Sequence, residues 1–198
     1  MKKIGIISIS LLFFYYSSLL AYSSNPKDFV KELVDDAIIK LSDVSLNKDQ
    51  KASFIKEIAL ENVDIKALSL YTLGELRKSS SKEDILKYQN SFEKYFLKSL
   101  TSRLSDYSSS KFEILGEDKK SANYTIINSK VLPDDGGPEI KIDWRVYTIN
   151  PEKPLVRDLI IEGLSLARTQ REEFNSVIQN GDGNIEVLFS NLREFLEK

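Results

Sequence analysis

The 198-residue chain contains no histidine and no cysteine. Their absence excludes the Ser-His-Asp and Cys-His nucleophile systems. It also excludes nearly every zinc, copper or haem site built on side-chain nitrogen or sulfur. Without cysteine there is no disulfide, so a fold exported from the cytoplasm must rest on its apolar core. What remains for chemistry is carboxylate work, Lys or Tyr acid–base work, or a Ser-Lys pair. No glycine-rich phosphate loop follows a strand. Asp134-Asp135-Gly136-Gly137-Pro138 has the look of a metal loop, but Asp, Gly and Pro are turn formers for backbone reasons, and a turn between strands is expected. Asn180-Gly181-Asp182-Gly183-Asn184 lacks the ligand spacing of a calcium loop and reads as a helix-ending glycine and a turn. Strong charge of one sign is missing too: the net charge is −2, and without Lys2 and Lys3 there are 26 basic side chains against 30 acidic ones. That balance argues against nucleic acid, and against a strongly anionic membrane surface, as the main partner.

What is present begins at the N-terminus. Lys2 and Lys3 precede an apolar run, Ile4 to Leu20, of about 17 residues, against the roughly 20 needed to span a bilayer. Small residues follow, and both Leu19-Leu20-Ala21 and Ala21-Tyr22-Ser23 approximate a cleavage site. The expectation is a secretory signal peptide over 1–21, with cleavage after Ala21 or as late as Ser23, and one soluble exported domain over 22–198. An uncleaved anchor is the alternative. No cysteine follows the run, so lipoprotein attachment is excluded, and no later segment approaches a membrane span.

Along the mature chain, Asn25-Pro26-Lys27-Asp28 opens a helix whose apolar face runs from Phe29 to Leu41. Asn47 and Gln50 propose a second start. A third helix is expected from about Asp64 to Gly74. Ser81 with Asp84 opens the longest, with an aromatic stripe through Tyr88, Phe92, Tyr95, Phe96, Leu100 and Tyr107 that suits either plain core packing or the wall of a greasy cavity. The period then changes to two. Phe112–Leu115, Tyr124–Val131, Glu139–Tyr147 and Leu155–Ile161 read as strands. Turn clusters separate them at Glu117–Lys120, Pro133–Pro138 and Asn150–Pro154. In the third strand Ile140, Ile142, Trp144 and Val146 share one face, and Lys141, Asp143, Arg145 and Tyr147 the other. Short connections imply an antiparallel meander. Two helices, from about Ser165 and Ile185, close the chain. The order of elements gives an α+β fold with a four-stranded antiparallel sheet.

The segment from Val156 to Phe174 carries Asp158, Glu162-Gly163-Leu164-Ser165 and Arg171-Glu172-Glu173-Phe174. With Ile178, Gly181, Gly183, Leu188 and Leu192-Arg193 after it, and Leu73-Gly74, the Phe92–Tyr107 helix and Ile142-Asp143-Trp144-Arg145-Val146 before it, this resembles the MlaC family. These are the toluene-tolerance, phospholipid-binding auxiliary proteins of ABC transporters. One departure is that Pro154-Leu155-Val156 stands where the family has a Trp before the last strand, which puts the wall that Trp forms in doubt.

The resemblance implies a half-cone of the nuclear transport factor type: a curved sheet wrapped by helices, with an apolar pocket between. It implies a monomeric periplasmic carrier in a Gram-negative envelope, with phospholipid as cargo and no cofactor. Its partners would be an inner-membrane ABC transporter with an MCE-domain subunit and an outer-membrane lipoprotein–porin complex. A two-chain lipid has roughly thirty methylenes at about 0.8 kcal/mol each, so a carrier must enclose the tails and needs no chemistry. Candidate tail contacts are Ile140, Ile142, Trp144 and Val146; Leu159 and Ile161; Tyr95, Phe96 and Leu100; and Leu73 and Leu164. Periodicity alone does not separate pocket lining from core at these positions. Three rivals stay open: an enzyme using Asp143, Asp158 or Glu162 in the same cavity, a hopanoid-type lipid carrier, and an interaction module whose pocket is filled by its own side chains. Gly163 and Ser165 have a structural reading as a bend and a helix cap.

Overall fold

The structure, a computed structural model, describes residues 22–104, 110–134 and 136–198. Residues 1–21, where an export segment is expected, Tyr107 and Asp135 lie outside the described residues. Helix α1, Pro26–Ser42, starts as its sequence dictates: the Asn25 side chain accepts from the amides of Lys27 and Asp28, and Pro26 takes the first helical position. Helix α2, Lys48–Asn62, has a full capping box, with Asn47 and Gln50 each accepting from the other's amide. Its end runs extended through Val63, which bridges in parallel to Val156. Asp64 caps α3, Ile65–Thr72. Gly74, at φ 61°, ends that run in a left-handed conformation and leads into a 3-10 turn, Gly74–Lys78. Ser81 then accepts from the Asp84 amide and donates to its carboxylate, opening α4, Lys82–Leu104.

The sheet has five strands in sequential order, all pairs antiparallel: β1 Ser110–Ser121, β2 Tyr124–Pro133, β3 Ile140–Tyr147, β4 Leu155–Ile161 and β5 Leu164–Ser165. Two sequence expectations are corrected here. Glu117–Lys120 is not a turn but the outer half of β1. On an edge strand charged side chains cost little and guard the unpaired rim, so composition there mimics a loop. The strand count is five, not four. Glu162 and Gly163 both take positive φ, 49° and 81°, as a two-residue type I′ hairpin requires, and Leu164–Ser165 folds back on Ile160–Ile161. Register shifts in β1 and opposite Arg145–Val146 add curvature. Ser165 caps α5, Leu166–Asn180, and Asn184 caps α6, Ile185–Glu197.

Two cores result. Helices α3 to α6 enclose Leu68, Leu73, Tyr88, Phe92, Phe174, Ile178, Leu188 and Leu192. Helix α1 lays Phe29, Val30 and Leu33 on Ile127, Val146 and Val156 of the sheet. Val63 touches both cores and joins them.

Candidate functional site

The site begins with the strand alternation of β3. Ile140, Ile142, Trp144 and Val146 point to the α1 side, and the register sets Ile142 opposite Ile161 and Trp144 opposite Leu159. Ile161 in turn pairs with Leu164. Burial along this face is graded. Val146 is fully covered, Trp144 and Ile142 are half-buried, Ile140 is 37% exposed and Leu164 is 69% exposed. The cause lies in how the helices meet the sheet: α1 packs on β1 and β2 and covers this face at Val146, while α3 and α5 meet β4 on the side of Arg145 and Asp158. The result is an apolar row, covered by α1 at Val146 and increasingly exposed toward the β4–β5 turn. Phe112 and Ile114 of β1 flank it. Phe112 stands edge-on to Trp144, ring centroids 6.2 Å apart, and the Trp144 indole N–H donates to Ser129 Oγ at 3.0 Å, so the indole N–H is satisfied.

The remaining candidates sit on helices. Leu73 is buried in the helical core. Tyr95 and Phe96 pack against that core from outside and are half-buried, as is Leu100. The aromatic stripe of α4 therefore divides: Tyr88 and Phe92 are core, at 0% and 2% exposure, and the later members are only part covered. The Tyr95 hydroxyl donates to Gln170, and burial, with the nearby Glu173 carboxylate, raises its pKa.

The opposite face of β3 and β4 is polar. Asp158 is buried and accepts from Ser165 Oγ at 2.6 Å and the Ala167 amide at 2.9 Å, with Arg145 at 3.3 Å. Asp158 thus ties β4 to the start of α5, giving the Asp…Ser spacing of the sequence a structural purpose. Asp143 accepts from Asn128, and Glu162, in the β4–β5 turn, accepts from the Lys141 amide of neighbouring β3. The three carboxylates weighed for catalysis are each engaged by backbone or side-chain donors and share no common cleft. Among the described residues no group of histidine, cysteine or carboxylate side chains could hold a metal ion.

Periodicity did not indicate that this polar face also borders two clefts. One, of about 510 Å³, lies where α2 meets α3 and is lined by Val63, Ile65, Tyr147, Ile149, Leu155 and Arg157 among others. Leu155 stands there at the position where the family departure was noted. The second, of about 240 Å³, is lined by Leu68, Tyr71, Arg145, Tyr147, Arg157 and Asp158 among others. Arg157 stacks on Tyr147, 4.5 Å from the ring centre, and pairs with Asp64. The signal that could have marked them is the recurrence of Arg and Tyr at alternate positions of neighbouring strands.

The chain has the fold of a phospholipid-binding protein from Ralstonia solanacearum solved in complex with a phospholipid, at a TM-score of 0.70 and 20% identity, covering 85% of this chain and 94% of that one. No curated protein matches it. The model of the family described as MlaC protein matches residues 31–194, which includes most of α1, the whole sheet and the Glu162–Ser165 hairpin, and the chain belongs to that family.

Proposed function

We propose that this protein is a periplasmic phospholipid carrier. It takes the acyl tails along the apolar row on the α1 side of β3 and β4, which serves as the floor of a groove, and leaves the headgroup at the exposed end. It moves lipid between an outer-membrane lipoprotein–porin complex and an inner-membrane ABC transporter with an MCE-domain subunit, which maintains the lipid asymmetry of the outer membrane. Export by the 1–21 segment and release as a monomer belong to the same reading, since a shuttle must diffuse. Ile142, Trp144, Leu159 and Ile161 form the floor, Val146 the closed end, and Ile140 and Leu164 the mouth. Leu73, Tyr95 and Phe96 pack in the helical core, apart from this row, and on this reading they and Leu100 hold the helices rather than the tails.

The observation that carries the reading is the graded burial of a continuous apolar row. Side chains of this size gain about 1.5–3 kcal/mol each from full burial, and a face that stops half-way has a use for the remainder. A fold held in common with a phospholipid-bound protein, and membership of the MlaC family, support the choice of cargo. The test is extraction of the purified mature protein with organic solvent and mass spectrometry of the extract. The expected result is close to one phospholipid per chain. If no lipid co-purifies and none is taken up from labelled phospholipid vesicles, the carrier reading fails.

A further inference from the structure

The export segment offers two bonds for cleavage, after Ala21 and after Ser23, and the fold uses the residues between them. The Tyr22 hydroxyl donates to Asp36 Oδ2 at 3.1 Å. Its ring stands edge-on to Phe29, centroids 6.2 Å apart and planes at 76°. It packs into the same cluster as Trp144 and Leu159. The next amide, that of Ser23, donates to Glu32 Oε2 at 2.6 Å. Positions 29, 32 and 36 form one stripe of α1, with i, i+3, i+7 spacing. The chain ahead of the Asn25 cap therefore doubles back along the helix that covers the closed end of the groove. Phe29 is only 1% exposed, and Tyr22 is part of its cover.

We infer that the chain is cut between Ala21 and Tyr22, and that Tyr22, as the first residue of the mature protein, is a strap that holds α1 over the closed end of the groove. The inference rests on the export reading. A cut after Ser23 discards the ring, the hydroxyl bond and the Ser23 amide together. A cut before Tyr22 keeps all three and adds a charge. The new α-ammonium lies within about 4 Å of the Ser23 nitrogen by backbone geometry, and the Ser23 amide is bonded to Glu32. Asp36 on the same helix and Glu61 on α2 are the other charges around Tyr22. In the precursor the same nitrogen is a neutral amide.

Two measurements test this. The first is the intact mass of the protein recovered from the periplasm. A chain beginning at Tyr22 is expected. A chain beginning at Ser24 overturns the inference and leaves the export reading standing, and an unprocessed chain overturns both. The second compares Tyr22→Ala and Tyr22→Phe in the processed protein. Tyr22→Ala lowers Tm by about 5 °C, on the scale set for a chain of this size, and releases a fluorescent phospholipid to acceptor vesicles several-fold faster. Tyr22→Phe keeps the ring and recovers most of both effects. Tyr22→Ala with unchanged Tm and unchanged release removes the strap.

Discussion

A carboxylate placed on the groove floor separates floor from core. Trp144 and Leu159 face each other across β3 and β4 and are half-buried, while Val146, two positions along, is fully covered. An ionised Asp at 144 or 159 keeps water around it and removes a stretch of floor from tail contact. If about five methylenes of one tail lose a dry surface, at ~0.8 kcal/mol each, binding weakens by ~4 kcal/mol, roughly a thousandfold in Kd. The cost to the fold is smaller. Trp144→Asp loses the edge contact with Phe112 and the bond to Ser129, together about 1–3 kcal/mol. Leu159→Asp breaks no hydrogen bond and is the cleaner variant. Asp143→Asn, on the other face, is the control, because an amide oxygen can still accept from Asn128. Val146→Asp buries an unpaired charge under α1 and unfolds the domain. The assay is phospholipid per chain by extraction and mass spectrometry, alongside thermal melting. Lipid content falls to under about a tenth of wild type in both floor variants at this affinity loss, with melting still cooperative, and the control is unchanged. Full lipid occupancy in both folded floor variants refutes the assignment of this face as the tail site.

Asp158→Ala leaves the Ala167 amide and the Arg145 guanidinium without their shared acceptor. Removing one partner of so buried a network costs about 3–5 kcal/mol, and a Tm lower by roughly 10 °C for a chain of this size is the expected reading in a thermal melt. At alkaline pH the buried tyrosines decide stability: burial, only partly opposed by the bond to Thr72, pushes the Tyr88 hydroxyl well above its ordinary range. Unfolded tyrosines ionise near pH 10. The stability held by a protonated Tyr88 is therefore complete below about pH 10 and is lost above it. Tyr88→Phe, measured by denaturant titration from pH 8 to 11.5, shows a shallower alkaline decline, and an identical decline contradicts the burial argument.

Much of the architecture was legible because its signals are local. The caps at Asn25, Asn47 and Ser81 sit one residue before helices that begin where those side chains demand, and β4 has the bounds its pattern implied. The failures have physical causes. The outer half of β1 reads as a turn because an edge strand in water imposes no apolar alternation. β5 was missed because two residues carry no period, although Glu-Gly is the kind of pair a type I′ turn accepts at positive φ. At the site, alternation named the face and could not name its depth. Val146 and Ile140 are equivalent in sequence pattern and differ from full burial to 37% exposure, a difference set by where α1 ends its contact with the sheet. Tyr22 was read only as part of a cleavage motif, since its partners Phe29 and Asp36 lie on a helix that has not yet begun when the sequence reaches it.

The gradient itself constrains how a carrier of this shape can work. A sealed cavity would hold a lipid well and need large-scale opening to release it. A fully exposed apolar face would be a standing aggregation surface. On the proposed reading, a groove covered at Val146 and open at Ile140 and Leu164 admits tails end-on, with their methyl ends beneath α1. Each methylene withdrawn into water costs about 0.8 kcal/mol, so stepwise withdrawal into solvent becomes prohibitive within a few steps. On the proposed reading, release then depends on a second apolar surface meeting the mouth, so that each methylene leaves one groove as it enters another. On the same reading the polar hairpin at that end, where Glu162 accepts from the Lys141 amide and both are exposed, leaves the headgroup in water. The proposed acceptor would then dock around Ile140 and Leu164, away from the two clefts on the opposite face.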